Sequence, residues 1–252
     1  MEQPSVTCYY EKTKAKSRQL LEAFAAGCGG RMESTAAAEL EPGPAAFYGV
    51  RPAWRHLWDQ AGIERYYLDN SYFNVSRETY FRVTRNALQA DGLQACWGGD
   101  GAARLRALGV TVKPWRERGD HIVICPQSVE FMGCMGGWAG DWLAEVTVML
   151  RKHTDRPLRV RRKGESRPLA DDLRGAWALV THMSCAAVEA LVAGVPVFCT
   201  GRCSAQWMGT SDLAMIESPI YPERRQEWAE LLAANQWTLS ELAKGDAWRA
   251  LQ

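Results

Sequence analysis

The sequence predicts an α/β protein of two Rossmann-like domains, each a largely parallel sheet with helices on its faces. Three observations carry this. Short apolar runs recur along the chain, among them AAFYGV at 45–50, RYYLD at 65–69, HIVICP at 121–126 and WALVT at 177–181, and each is bounded by Gly, Pro, Asp or another polar breaker as buried strands are. Helical patterns alternate with these runs, which is the signature of parallel strands joined by crossover helices. The 252 residues also exceed the roughly 150 of one average domain. A stretch of low periodicity rich in glycine, 87–118, places the boundary between an N-terminal domain, 1–117, and a C-terminal domain, 118–252.

Composition narrows the class. Hydrophobic residues at 47% and charged residues at 23% are those of a folded globular chain. Thirty Lys and Arg against 29 Asp and Glu leave a net charge of +1, which argues against a wide basic face for clamping nucleic acid while leaving room for a local basic groove. Eight cysteines (Cys8, Cys28, Cys96, Cys125, Cys134, Cys185, Cys199, Cys203) include no C-x-x-C pair, so no metal site is expected and the thiols read as small buried hydrophobes in a reducing compartment. MEQPSVTCYYEK has no basic region followed by an apolar stretch, and no run approaches the roughly 20 apolar residues of a membrane span. A soluble, cytoplasmic protein is expected.

In chain order, 6–10 reads as a first strand and 12–26 as a helix with Leu20, Leu21, Phe24 and Ala25 on one side, stopped by Gly27, Gly29 and Gly30. Residues 33–40 fit either a strand or a short helix. AAFYGV is a buried strand ending in Gly49, and Pro52 opens a helix over 53–61. RYYLD is the next strand, with Asp69 and Asn70 where it leaves the sheet. A carboxylate at that place suits a general base, and equally a turn, since Asp and Asn bond their own backbone. From 71 to 85 aromatics alternate with polar residues in an edge strand or an irregular return. Arg82, Arg85 and Asn86 among those aromatics suit a groove for a base or sugar, or a partly buried edge.

The second half is more regular. It reads as a strand at 121–126, a Gly-rich loop at 132–140, a helix at 141–154, a strand at 158–161 and a short helix at 168–174. Then WALVTHMSCAAVEALVAGVPVFCT, 177–200, packs strand, polar turn, helix and strand into one βαβ unit, its helix over 185–193 stopped by Gly194. Ligands of such sheets sit at the carboxyl ends of strands, which points to His182, Met183 and Ser184 and to a phosphate held by helix-end N–H groups. A polar loop, 201–211, and helices at 223–235 and 239–251 follow, with Thr238 or Ser240 as a cap.

VTHMSCAAVEALVAGVPVF resembles the donor-binding half of GT-B-type glycosyltransferases, and HIVICPQS, RVRRKGE and WALVTHMS precede it in the matching order. YYLDNSYF, YFRVTRNALQ and QWTLSELAKGDAW look like short phage-encoded members of that class; the likeness spans roughly 45–250. It implies a compact pair of Rossmann-like domains with a cleft between them and C-terminal helices crossing back. It implies transfer of a sugar from a nucleotide-sugar, UDP-linked, to a hydroxyl acceptor without an obligatory metal, and the phage likeness adds a hydroxymethylated base in DNA as one acceptor. The chemistry gives these residues work, because a departing diphosphate needs its charge stabilised. Ser184 and the N–H groups of Cys185 and Ala186 are the helix-end donors; Arg161 and Lys163 are the cations. Glu189 accepts from the ribose hydroxyls, and Gln127, Ser128 and His182 lie beside the donor. Gly49, Arg82, Arg85 and Asn86 form the acceptor side. Asp69 is the base, with His56 and Asp59 as the other first-half candidates. His182 also fits a satisfied core histidine, and Arg159–Lys163 a solvated charged run. A sugar-nucleotide epimerase or hydrolase, or a nucleotide-binding module without catalysis, would use the same fold.

Overall fold

A computed structural model of the chain describes residues 5–35, 43–50, 63–89, 100–135 and 137–252. The helix expected over 53–61, with His56 and Asp59, lies outside the described residues. The chain divides into two compact units, Met1–Arg104 with Leu231–Gln252 and Leu105–Glu230.

In the first unit β1 (Thr7–Tyr10), β2 (Arg31–Ser34), β3 (Ala45–Tyr48), β4 (Arg65–Asn70) and β5 (Phe81–Arg85) form a sheet in the order β2-β1-β3-β4-β5. The first four strands are parallel, and β5 closes the edge antiparallel to β4. α1 (Ala15–Cys28) buries Leu20, Leu21, Phe24 and Ala25 against Cys8, Ala46, Tyr66 and Leu68. Its stop is Gly29, which adopts φ 67°, a conformation that glycine enters without penalty. Gly27, expected as part of that stop, lies inside the helix instead. A Cβ on Gly27 would stand 2.0 Å from the Leu242 carbonyl oxygen and 2.8 Å from the Gly245 Cα, so its role is close approach. The backbone it meets belongs to the last helices, read from sequence as one span and observed as two broken at Gly245 (φ 78°), which are numbered below.

The second unit begins with α2 (Gly101–Ala107), which starts in the first unit, and holds β6 (His121–Cys125), α3 (Val129–Met135), α4 (Trp142–Arg151), β7 (Leu158–Val160), α5 (Leu169–Asp172), β8 (Ala176–Thr181), α6 (Ala186–Val192) and β9 (Val197–Cys199). All four strands are parallel, in the order β7-β6-β8-β9. Trp142, Val146 and Leu150 of α4 pack with Leu213 and Ile216 against Ile122, Ile124, Ala178, Val180 and Phe198. Val123, Leu179 and Val197 alternate with these and serve the other face. Right-handed crossovers running outward from a central strand pair in opposite directions put α4 and α6 on opposite faces. Part of the expected glycine-rich loop at 132–140 is helical, because Ser128 starts α3 by accepting from the Phe131 and Met132 N–H groups.

The unit boundary falls at Arg104/Leu105, earlier than the 117/118 expected from the glycine-rich texture. The connecting segment is tied into the second unit: Lys113 and Arg116 N–H donate to the Val192 and Gly194 carbonyls. The Arg225 guanidinium covers the Trp115 ring at 3.7 Å and donates to the Leu191 and Lys113 carbonyls. Arg225 opens α7 (Arg225–Ala234), inside which the chain passes back into the first unit, followed there by α8 (Leu239–Ala243) and α9 (Asp246–Ala250). Thr238 caps α8 with a reciprocal box to Glu241. Trp237 pairs its backbone with Phe81 on the free side of β5.

Candidate functional site

In the second unit the chain leaves β6 for one edge of the sheet and leaves β8 for the other, so the carboxyl ends of β6 and β8 frame the place where parallel sheets open a crevice. Thr181 Oγ1 donates to the Cys125 carbonyl at 2.6 Å and fastens these two ends together. Gln127 and Ser128 leave one of them; His182, Met183, Ser184, Cys185 and Ala186 leave the other. Seven residues expected to lie beside a donor, counting from Gln127 to Glu189 without the cations, thus collect at one end of one sheet.

Local bonding changes what some of them offer. The Ala186 N–H donates to Ser184 Oγ at 3.2 Å, so one of the expected phosphate donors is spent in a short serine turn while the accepting hydroxyl keeps its own proton. His182 is almost fully buried. Its Nδ1 lies 2.9 Å from Thr200 Oγ1, which accepts the Trp142 indole N–H at 2.8 Å. The Trp138 ring meets the imidazole edge-on at 5.9 Å, and Trp138 is held by its indole N–H to Glu145 at 3.0 Å. Gly201 is obligatory beside this ring: a Cβ there would fall 2.7 Å from His182 Cε1 and 2.6 Å from Met183 Cγ. Sequence reasoning missed Thr200, Trp138 and Trp142. A polar residue at the exit of a buried strand was the available signal for Thr200.

Burial pushes the Cys125 thiol up to about 12, with Arg161 pulling the other way and Asp172, Glu189 and Glu165 adding to the rise. Those four charged groups are thus near enough to the end of β6 to act on its thiol. Glu189 is half-buried on α6, one turn from its start. Arg161 is ion-paired to the buried Asp172 and donates to the Arg167 carbonyl at 2.6 Å, while Arg167 pairs with the same carboxylate. Its charge is thus partly spent inside the fold. Lys163 stands in the exposed loop beyond β7 and meets no carboxylate among the described residues.

In the first unit Asp69 lies at the carboxyl end of β4, directly across from Arg82 on β5. Its Oδ2 accepts from the Arg82 guanidinium at 2.6 Å and the Tyr67 hydroxyl at 3.0 Å, and its Oδ1 accepts from the Asn70 N–H at 2.7 Å. Arg82 also donates to the Asn70 carbonyl and lies over the Tyr72 ring at 5.2 Å. Tyr48, at the end of β3, donates to Asn70 Oδ1 at 3.3 Å, and burial followed by the Asp69 charge pushes its phenol up to about 12. Gly49 turns the chain out of β3 with φ 71°. Arg85 and Asn86 lie elsewhere. Because β5 runs antiparallel, Arg85 stands opposite Tyr66 near the start of β4, paired to Glu64, and Asn86 exchanges bonds with Arg65. The four acceptor-side candidates therefore divide between the two ends of the sheet. Asn70, expected with Asp69 at the strand exit, is there, and Tyr48 and Tyr67 join them without having been singled out. Among the described residues no group of three or more His, Cys, Asp or Glu is arranged to hold a metal ion, and no helix is long and apolar enough to cross a membrane.

The two units are of one class, an open sheet of mainly parallel strands with helices packed against it. Solved structures share that fold over most of the chain. The chain is similar to the beta Kdo 2,7 transferase of Thermosulfurimonas dismutans KpsC, with a TM-score of 0.51, 14% identity, and coverage of 97% of this chain and 99% of that one. It is similar also to the beta Kdo 2,4 transferase of the same organism's KpsC, with a TM-score of 0.50, 14% identity, and coverage of 93% and 91%. At such identity the likeness is one of fold. No family model matches the sequence, and no curated protein matches it.

Proposed function

We propose that the protein is a GT-B-like glycosyltransferase that moves a sugar from a nucleotide-sugar to a hydroxyl acceptor, with the donor on the second unit and the acceptor on the first. The observation that carries the reading is the gathering of Gln127, Ser128, His182, Ser184, Cys185 and Glu189 at the β6/β8 opening of a fold shared with two transferases. The dipole at the start of α6 favours an anion there, the Ser184 hydroxyl can donate to it, and Glu189 stands one turn on, where it can accept from ribose hydroxyls. Lys163 is the nearer choice for the diphosphate cation, since Arg161 already serves Asp172. Asp69 takes the acceptor proton in this reading, with Arg82 and Tyr67 fixing its orientation. No metal has an assigned role in the reaction.

The test is release of free nucleotide from a panel of nucleotide-sugars, UDP-linked donors first, with and without acceptors that include hydroxymethylated DNA and sugar-terminated glycans. Acceptor-dependent release is expected. Release without acceptor would make the protein a hydrolase, and binding without release would make it a nucleotide-binding module. Glu189→Ala is expected to weaken nucleotide binding at least tenfold, the value of one good hydrogen-bonded contact; unchanged affinity would remove the donor site from α6.

A further inference from the structure

Segment 151–174 carries nine Lys and Arg against four Asp and Glu, although the whole chain is near neutrality. It runs from the end of α4 through β7 to the end of α5. Some of its cations are compensated: Arg161 and Arg167 share Asp172, Arg156 meets Glu217, and Arg174 meets Asp171. The side chains of Arg151, Lys152, Arg159, Arg162 and Lys163 form no ion pair among the described residues, although Glu165 accepts the Arg162 backbone N–H and the Arg159 charge acts on Asp120, and all five are exposed. Arg159 is fixed by a contact to His121 Nε2 at 3.3 Å. β7 is moreover an edge strand, paired to β6 on one side only among the described residues, so unpaired backbone N–H and C=O groups run beside these charges.

We propose that the β7 edge with its basic loop docks an acidic polysaccharide, an extended chain of carboxylate-bearing sugars. Charge complementarity selects a polyanion, and arginine forks suit carboxylates in two-point contact. Three features select the glycan. Segment 151–174 contains no Phe, Trp or Tyr, whereas single-stranded nucleic acid sites pair cations with stacking aromatics. Val160 is its one exposed large hydrophobic residue, too little to anchor the strip in an anionic bilayer. A strand of three residues offers few ladder positions to an acidic peptide, while sugar hydroxyls can donate to and accept from its free edge. The ligand class rests on the glycosyl-transfer reading above; the binding itself needs no nucleotide-sugar, so the two fail separately.

Binding of the full chain to polygalacturonate is measured by titration calorimetry at two salt concentrations, beside single-stranded DNA, polyglutamate and phosphatidylglycerol vesicles at equal charge. Polygalacturonate is expected to bind most tightly, to weaken with salt, and to lose about tenfold in affinity in Lys152→Glu/Arg159→Glu/Arg162→Glu. Arg162→Gln, at an exposed site with little bearing on folding, is expected to show a smaller loss in the same direction. Preference for any of the other three polyanions, absence of binding, or undiminished binding by both variants would overturn the proposal.

Discussion

Gly27 shows how much a single hydrogen can carry. Because a Cβ would stand 2.0 Å from the Leu242 carbonyl oxygen, Gly27→Ala must push α8 away from α1, and a stability loss of about 1–3 kcal/mol is expected in denaturant titration. The same substitution at Gly29, where the space is open and only φ is unfavourable, should cost about 1 kcal/mol. The sequence marks both as a helix stop. It distinguishes them nowhere, because close approach is a property of two segments more than 200 positions apart. Asp69 was legible as a polar residue at a strand exit, but its partner was not legible as such: Arg82 reads as one of several basic residues until β5 is seen to run antiparallel and lay it opposite. Asp69→Ala would leave Arg82 buried without its carboxylate, and a loss of about 3 kcal/mol is expected. Asp69→Asn should keep most of that stability while abolishing transfer, so activity and melting temperature are to be read together.

Elements were mostly readable where a strand and a helix alternate with clear breakers, as from β6 to β9, because burial of both sheet faces writes continuous apolar runs into the sequence. They were less readable where one polar side chain decides. α3 opens where the Ser128 side chain captures the Phe131 N–H, in a stretch whose glycines argue for a loop. α8 is the opposite case, since T-L-S-E announces its capping box. Thr238→Ala is expected to lower stability by about 1 kcal/mol, seen as a drop in melting temperature. The loop from His182 to Ser184 depends on Gly201 across from it. Gly201→Ala should displace the His182 ring and weaken nucleotide binding with little change in folding cooperativity, a separation that circular dichroism and calorimetry would check.

For the molecule as a whole, the pH response follows from what is buried. Tyr48 and Tyr66 are pushed from their usual 10 to about 12, chiefly by burial, and Cys125 from 9 to about 12. Each folded value lies above the unfolded one, so this stability is complete below the unfolded values and is lost as pH rises toward 12. Chemical denaturation should show a steady fall in stability from about pH 9 upward, and tyrosinate absorbance should reveal two late-titrating phenols. The return of the chain has a different kind of consequence. Since residues 231–252 complete the unit that opens at the N-terminus, a ribosome delivers the Leu105–Glu230 unit whole while the earlier one still waits for Trp237 to close its sheet edge. A chain cut short near residue 230 would leave that β5 edge open to whatever strand came near it.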